Sequence, residues 1–203
     1  MEPPARLAPL LAQYDWATER LLARLTGPDM DSGDGERVPV GALSDDEYLW
    51  EPALGSWSVR RHVDGPGPGA TALVGAGDWG RDGGRPHPWP PPVTTIAWRM
   101  AHLTEMLTLR AEWTIGEHRR LEGDLHYAGD AAAGVHALRE GVLAWREALT
   151  TADDEALDTV GRSTYPDGGD ADEAFLDVVW WVNQEVLHHG AEIALLRDLY
   201  ARR

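Results

Sequence analysis

Val178-Val179-Trp180-Trp181-Val182-Asn183-Gln184-Glu185-Val186-Leu187-His188-His189-Gly190-Ala191-Glu192-Ile193-Ala194-Leu195-Leu196-Arg197 decides how this chain is read. The stretch has no proline and is apolar at helical spacings, yet it carries a carboxylate and two imidazoles at its centre. Each helical residue rotates the wheel by about 100°. On that wheel Val178, Val182, Glu185, His189 and Leu196 share one face. Glu185 and His189 are one turn apart, so their side chains lie side by side toward the core. His188 falls at the edge of the stripe, about 60° from Glu185 on the side away from His189. It reads as a rim residue. Glu192 returns to the Glu185 face, either to orient a ligand through a hydrogen bond or as a partly solvated charge.

Outward from this stretch the pattern predicts a helix over about Glu173 to Ala201 and three partners. The first runs from about Ala5 to Leu25, with Leu7, Leu11, Tyr14, Leu21 and Leu25 at helical spacings and Gly27-Pro28 as its stop. The second spans about Val93 to Gly116, with Trp98, His102, Met106, Leu109 and Trp113 on one narrow face. The third spans about Ala131 to Leu149, with Val135, Leu138, Val142, Trp145 and Leu149 in one stripe. Asp29 to Pro92 reads as mostly irregular. It holds one short helix, Ser44 to Trp50, where Ser44 and Glu47 match a capping box. The Gly- and Pro-dense part from Asp64 to Pro92 predicts neither a long helix nor a central strand. Trp79 and Trp89 predict that this loop docks on the body, where it would act as a lid. Alternating apolar and polar runs are nearly absent. The expectation is all-α: a single four-helix-bundle domain over residues 1–203 with a long Gly/Pro-rich loop between its first two helices.

His102 sits in the middle of an apolar stripe, as Glu185 and His189 do on theirs. A buried carboxylate without a partner is expensive. Imidazole and carboxylate converging from two helices are a standard way to build a metal site. Two His and one Glu leave a position open on a zinc-like ion, which points to catalysis or ligand binding. The plainer readings stay open. A lone core His is more often simply hydrogen-bonded, and Glu185 has Arg99 and Arg197 as alternative partners. The other histidines, His62, His87, His118, His126 and His136, read as solvated surface residues. Asp153-Asp154-Glu155 reads as a loop and helix start. Gly65 to Gly69 lacks the sequence of a phosphate loop.

Bulk properties narrow the function classes. The 203 residues carry a net charge of -16, which repels a phosphate backbone and argues against nucleic acid. With 43% hydrophobic residues the chain can build a core. No apolar run reaches the ~18 residues of a membrane span. The N-terminal Met1-Glu2-Pro3-Pro4 lacks the basic, then apolar, pattern of a secretion signal, so the expected location is cytoplasmic. There is no cysteine, so any thiol chemistry needs a small-molecule thiol. Ten tryptophans predict a roomy interior and an apolar patch suited to a homodimer.

Trp57-Ser58-Val59, Trp98-Arg99-Met100-Ala101-His102-Leu103, the Glu185 to Ile193 run and Leu195-Leu196-Arg197 together resemble the DinB-like superfamily. The resemblance covers nearly the whole chain in helix order. It implies a small four-helix bundle that binds a divalent metal through three side chains. The first is a His in a His-Leu pair on the second helix, and the other two lie one turn apart on the last. The usual pattern there is His-x-x-x-His, whereas this chain has Glu185 in the first position. That departure is similar to the N-terminal domain of mycothiol-dependent maleylpyruvate isomerases, whose set is His, Glu and His. Carried over, the set is His102, Glu185 and His189. The chain departs from those isomerases in ending at Arg203, without their C-terminal domain, and in its long insertion over 64–92.

The leading expectation is a metal-dependent transferase acting on small electrophiles with a low-molecular-weight thiol, in conjugation or detoxification. Zinc is the first choice of metal, ahead of nickel, iron and manganese. His188 and Glu192 are the expected catalytic residues. Metal-assisted hydrolysis with either as general base, and a non-catalytic metal- or ligand-binding bundle, are the alternatives.

Overall fold

The computed structural model describes residues 3–27, 41–86 and 88–203. Pro28 and His87 lie outside them, as do Met1, Glu2 and residues 29–40. The protein is mostly helical. Four long helices, α1 (Ala8–Thr26), α3 (Ile96–Ile115), α4 (Ala131–Thr150) and α6 (Phe175–Tyr200), are joined by the short α2 (Asp45–Tyr48) and α5 (Asp154–Asp158). α3 packs along α4 and α1 along α6, with α3 also against α6 and α1 against α4. Their apolar faces form one core that includes Leu11, Tyr14, Leu103, Leu107, Trp145 and Val182.

The helix ends have identifiable chemistry. Thr95 caps α3 by accepting the Trp98 N–H at 3.1 Å, and Asp130 caps α4 by accepting the Ala133 N–H at 2.8 Å. Asp153 caps α5 in the same way, at 2.8 Å. Gly27 ends α1 with a φ of 107°, a conformation that favours glycine. Ser44 accepts the Glu47 N–H as the capping pattern predicts. The Glu47 carboxylate does not turn back to complete the box. It is buried against Arg197, at 2.7 and 3.1 Å from Nε and Nη2. A bidentate guanidinium outcompetes a single backbone N–H.

The 59–83 region corrects the expected irregular loop. It contains a three-stranded antiparallel sheet of β1 (Val59–Arg61), β2 (Ala72–Val74) and β3 (Trp79–Gly83), with β3 in the centre. Val59 faces Arg81 on one side of β3, and Leu73 faces Asp82 on the other. Fixed side chains hold the sheet where apolar alternation does not. The fully buried Asp82 accepts the N–H groups of Ser58 (2.8 Å) and Gly67 (2.7 Å) and the Arg60 Nε–H (2.9 Å). Gly80 lets the neighbouring strands close in, since a Cβ there would stand 2.8 Å from that of Leu73. At Gly75, with φ 110°, the β2–β3 connection passes so near Tyr127 that a Cβ would meet its ring at 2.5 Å. Trp79 packs on the core, but Trp89 is 90% exposed.

The Trp57-Ser58-Val59 element ties this sheet to α3. Trp57 N–H donates to Val93 O, Thr95 N–H donates to Trp57 O, and the Ser58 and Thr95 hydroxyls pair at 3.0 Å. No helix among the described residues is long and apolar enough to cross a membrane.

Candidate metal centre

α3 supplies His102 and α6 supplies Glu185 and His189. One ligand atom from each lies within 4.8 Å of the others, so the three form a group able to hold a metal ion. The Nε2 atoms of both imidazoles converge on the same carboxylate oxygen. Glu185 Oε2 is 3.1 Å from His189 Nε2 and 3.6 Å from His102 Nε2. The two rings meet edge to face, 4.9 Å between centroids.

Each ring is held from behind. Trp98, one turn before His102, stacks on it at 5.3 Å and 16°. The Trp98 indole is itself fixed by donating Nε1–H to Asp82 O at 2.8 Å. The sheet therefore sets the orientation of His102. On α6, His189 Nδ1 lies 2.6 Å from Glu192 Oε2. With a metal ion bound, donation of Nδ1–H to that carboxylate would leave the Nε2 lone pair free for the ion. Arg99 lies alongside, with Nε 3.1 Å from Glu192 Oε2 and Nη1 3.2 Å from His189 Nδ1.

The electrostatics suit ligation. Burial pushes His102 below its ordinary pKa, outweighing the upward pull of Glu185, and so favours the neutral ring with a free lone pair. His102 and then His189 hold the Glu185 carboxyl well below its usual range, so it is an anion at neutral pH. Three convergent lone-pair donors carrying one carboxylate charge match what a divalent cation requires.

The residues singled out in the sequence fall in distinct places. His189 is buried within the group, whereas the His188 side chain is 61% exposed, stacks on the His189 ring at 4.8 Å and lies 3.3 Å from Glu192 Oε1. Glu192 is bound to His189 and Arg99. Arg197, a considered partner for Glu185, belongs to Glu47. His62, His118, His126 and His136 are exposed and outside the group.

A cavity of about 550 Å³ opens beside His102. Trp57, Trp98, Met106 and Trp181 give it apolar surface, and the segment from Thr71 to Arg85 forms one wall. Sequence reasoning missed two features of this wall. One is the buried pair of Arg81 and Glu105, bidentate at 2.7 to 3.2 Å and joined by the Tyr127 hydroxyl. The other is Arg110 of α3. The signal for Arg110 was present, because Trp98, His102, Met106 and Arg110 recur every fourth residue.

A family model for the DinB superfamily matches residues 75–193, a span that contains β3, α3, α4 and the whole group His102, Glu185 and His189. No curated protein and no solved structure matches the chain.

Proposed function

This chain belongs to the DinB superfamily, and on that footing we propose that it is a metal-dependent transferase that joins a small thiol to a small organic electrophile. In this reading α1, α3, α4 and α6 are the four-helix bundle of the superfamily, and His102, Glu185 and His189 are its metal ligands. One observation carries the proposal: three ligand atoms from two helices converge, and His102, one of the three residues, lines a cavity large enough for an organic molecule.

Bound there, a divalent ion such as zinc supplies a fixed positive charge that favours the thiolate, the nucleophilic form of a thiol. The chain's own residues do the rest. Glu192 keeps His189 in one tautomer and one orientation. Trp98 does the same for His102 by stacking. Trp57, Trp98, Met106 and Trp181 exclude water from the electrophile and position it. The exposed His188 is placed to exchange a proton with solvent through Glu192. The thiol is exogenous because the chain has no cysteine. Its choice over water rests on Glu185, which stands where mycothiol-dependent isomerases carry Glu.

The test has two stages. Metal content is measured for wild type, His102→Ala and Glu185→Ala after purification and zinc reconstitution. Near-stoichiometric metal in wild type and loss in both variants is expected, and equal content in all three sinks the site. Reconstituted protein is then assayed with mycothiol, with glutathione and with no thiol, against a panel of electrophiles and esters. Thiol-dependent turnover that is lost with the metal supports the transferase. Turnover of the esters without thiol replaces it with a hydrolase.

A further inference from the structure

The cavity continues beyond His102 along one ridge of α3, where Trp98, His102, Met106 and Arg110 all line it. Arg110 stands two turns from His102, about 12 Å of helical rise. It is 3% exposed. Its Nη2 pairs with Asp170, but Nε and Nη1 are buried and have no hydrogen-bond partner among the described residues. Tyr165 and Trp181 lie 5.0 and 5.3 Å from the guanidinium carbon. Such ring contacts are worth less than a charge-assisted hydrogen bond. A guanidinium stays charged at every relevant pH, so buried N–H donors without acceptors are costly until one arrives.

The other charges in the cavity do not meet this need. Glu105 is committed to Arg81 and Tyr127. Glu122 lies 4.0 Å from the exposed Arg85, and burial pushes its carboxyl upward toward the neutral form. Arg81 is committed to Glu105, so Arg110 is the one buried cation of the cavity with donors to spare among the described residues. One partly paired arginine matches a single negative charge better than a dianion. The surface between Arg110 and His102 is apolar, formed by Met106, Trp98 and Trp181.

We propose that Arg110 anchors the substrate through a carboxylate, so that an elongated monocarboxylic acid lies along the α3 ridge with its far end beside His102. The proposal rests on the cavity being the substrate site of the enzyme described above, and it adds the substrate class. The carboxylate accepts from the Nη1 end of Arg110, beside the Nη2 that Asp170 holds, and the apolar body covers Met106 and the two indoles.

The test is calorimetric binding of the ω-phenyl acids from phenylacetate to 5-phenylvalerate, each against its neutral amide. It uses the full chain both zinc-loaded and chelator-treated. At least one acid is expected to bind roughly tenfold or more tightly than its amide, with or without zinc. In Arg110→Gln that preference falls to about twofold or less. Asp170→Asn removes the competing carboxylate at a position with φ 62°, a conformation that Asn adopts readily. It is expected to raise acid affinity severalfold while leaving the guanidinium in place, which guards against a folding defect in Arg110→Gln. The proposal is overturned if no acid is preferred over its amide, or if Arg110→Gln keeps the preference. It is equally overturned if Asp170→Asn leaves acid affinity unchanged or weaker. A preference that disappears on chelation yet survives Arg110→Gln places the carboxylate on the metal, which overturns the anchor and supports the metal centre. An Arg110-dependent preference in protein that never retains zinc does the reverse.

Discussion

Glu105 of α3 lines the cavity and Glu185 of α6 stands against the His102 that lines it, and the two carboxylates are partnered in opposite ways. Glu105 is buried, faces a bidentate guanidinium and accepts a phenol hydroxyl. Its charge is cancelled and its lone pairs are used. Glu185 faces two imidazoles and, among the described residues, no guanidinium within ion-pair distance, with both Nε2 atoms turned toward a single oxygen. A cation has been supplied to the first cluster by the chain itself, and the second is arranged to receive one. The difference separates a polar group that closes a wall from one that could hold a metal ion, although both look alike as acids on an apolar face.

Breaking the closed cluster should cost the most. Arg81→Ala leaves Glu105 buried and unpaired, so a loss of about 3–5 kcal/mol of stability is expected by denaturant unfolding. Replacing both partners, Arg81→Met with Glu105→Gln, should recover most of it. A loss under about 1 kcal/mol in Arg81→Ala would erase the contrast, because it would mean that Glu105 tolerates solitude as Glu185 does. The next effect is on affinity. Glu192→Gln weakens the acceptor behind His189 Nδ1, and zinc affinity by competition with a chromophoric chelator should drop about 10–100-fold, or ~1.4–2.7 kcal/mol. Unchanged affinity would remove Glu192 from the centre. The smallest effect belongs to His188→Ala, where zinc affinity should move by no more than about twofold, since the ring stacks on His189 and meets Glu192 from outside without bringing a ligand atom into the group. A loss as large as that of Glu192→Gln would make His188 a ligand.

The helices were legible because each has an apolar face that repeats every three or four residues, and burial follows that face directly. The convergence of His102, Glu185 and His189 was legible for the same reason, since a polar residue on such a face must end up inside. The sheet was not, because β3 reads Trp79-Gly80-Arg81-Asp82-Gly83, with two glycines and two charges and no alternation to detect. What holds it is Asp82, whose three donors come from Ser58, Arg60 and Gly67, and pairing at such separations leaves no local mark. Glu47 shows the same limit. Its spacing from Ser44 announces a local capping box, while its real partner is Arg197, 150 residues away. Arg110 was overlooked for another reason. A charged residue at the end of an apolar ridge looks like the point where the ridge reaches solvent, and only the packed structure shows it enclosed.

The β2–β3 hairpin faces the cavity, yet the side chains of the candidate metal group all come from α3 and α6. In the proposed enzyme, selectivity is therefore interchangeable upholstery on a fixed frame. Residues 71–74 can be rewritten or transplanted from a relative to change which molecules fit, provided that Asp82 and its bond to Trp98 are left in place. A library confined to that hairpin would sample new substrates at little risk to the helices beneath.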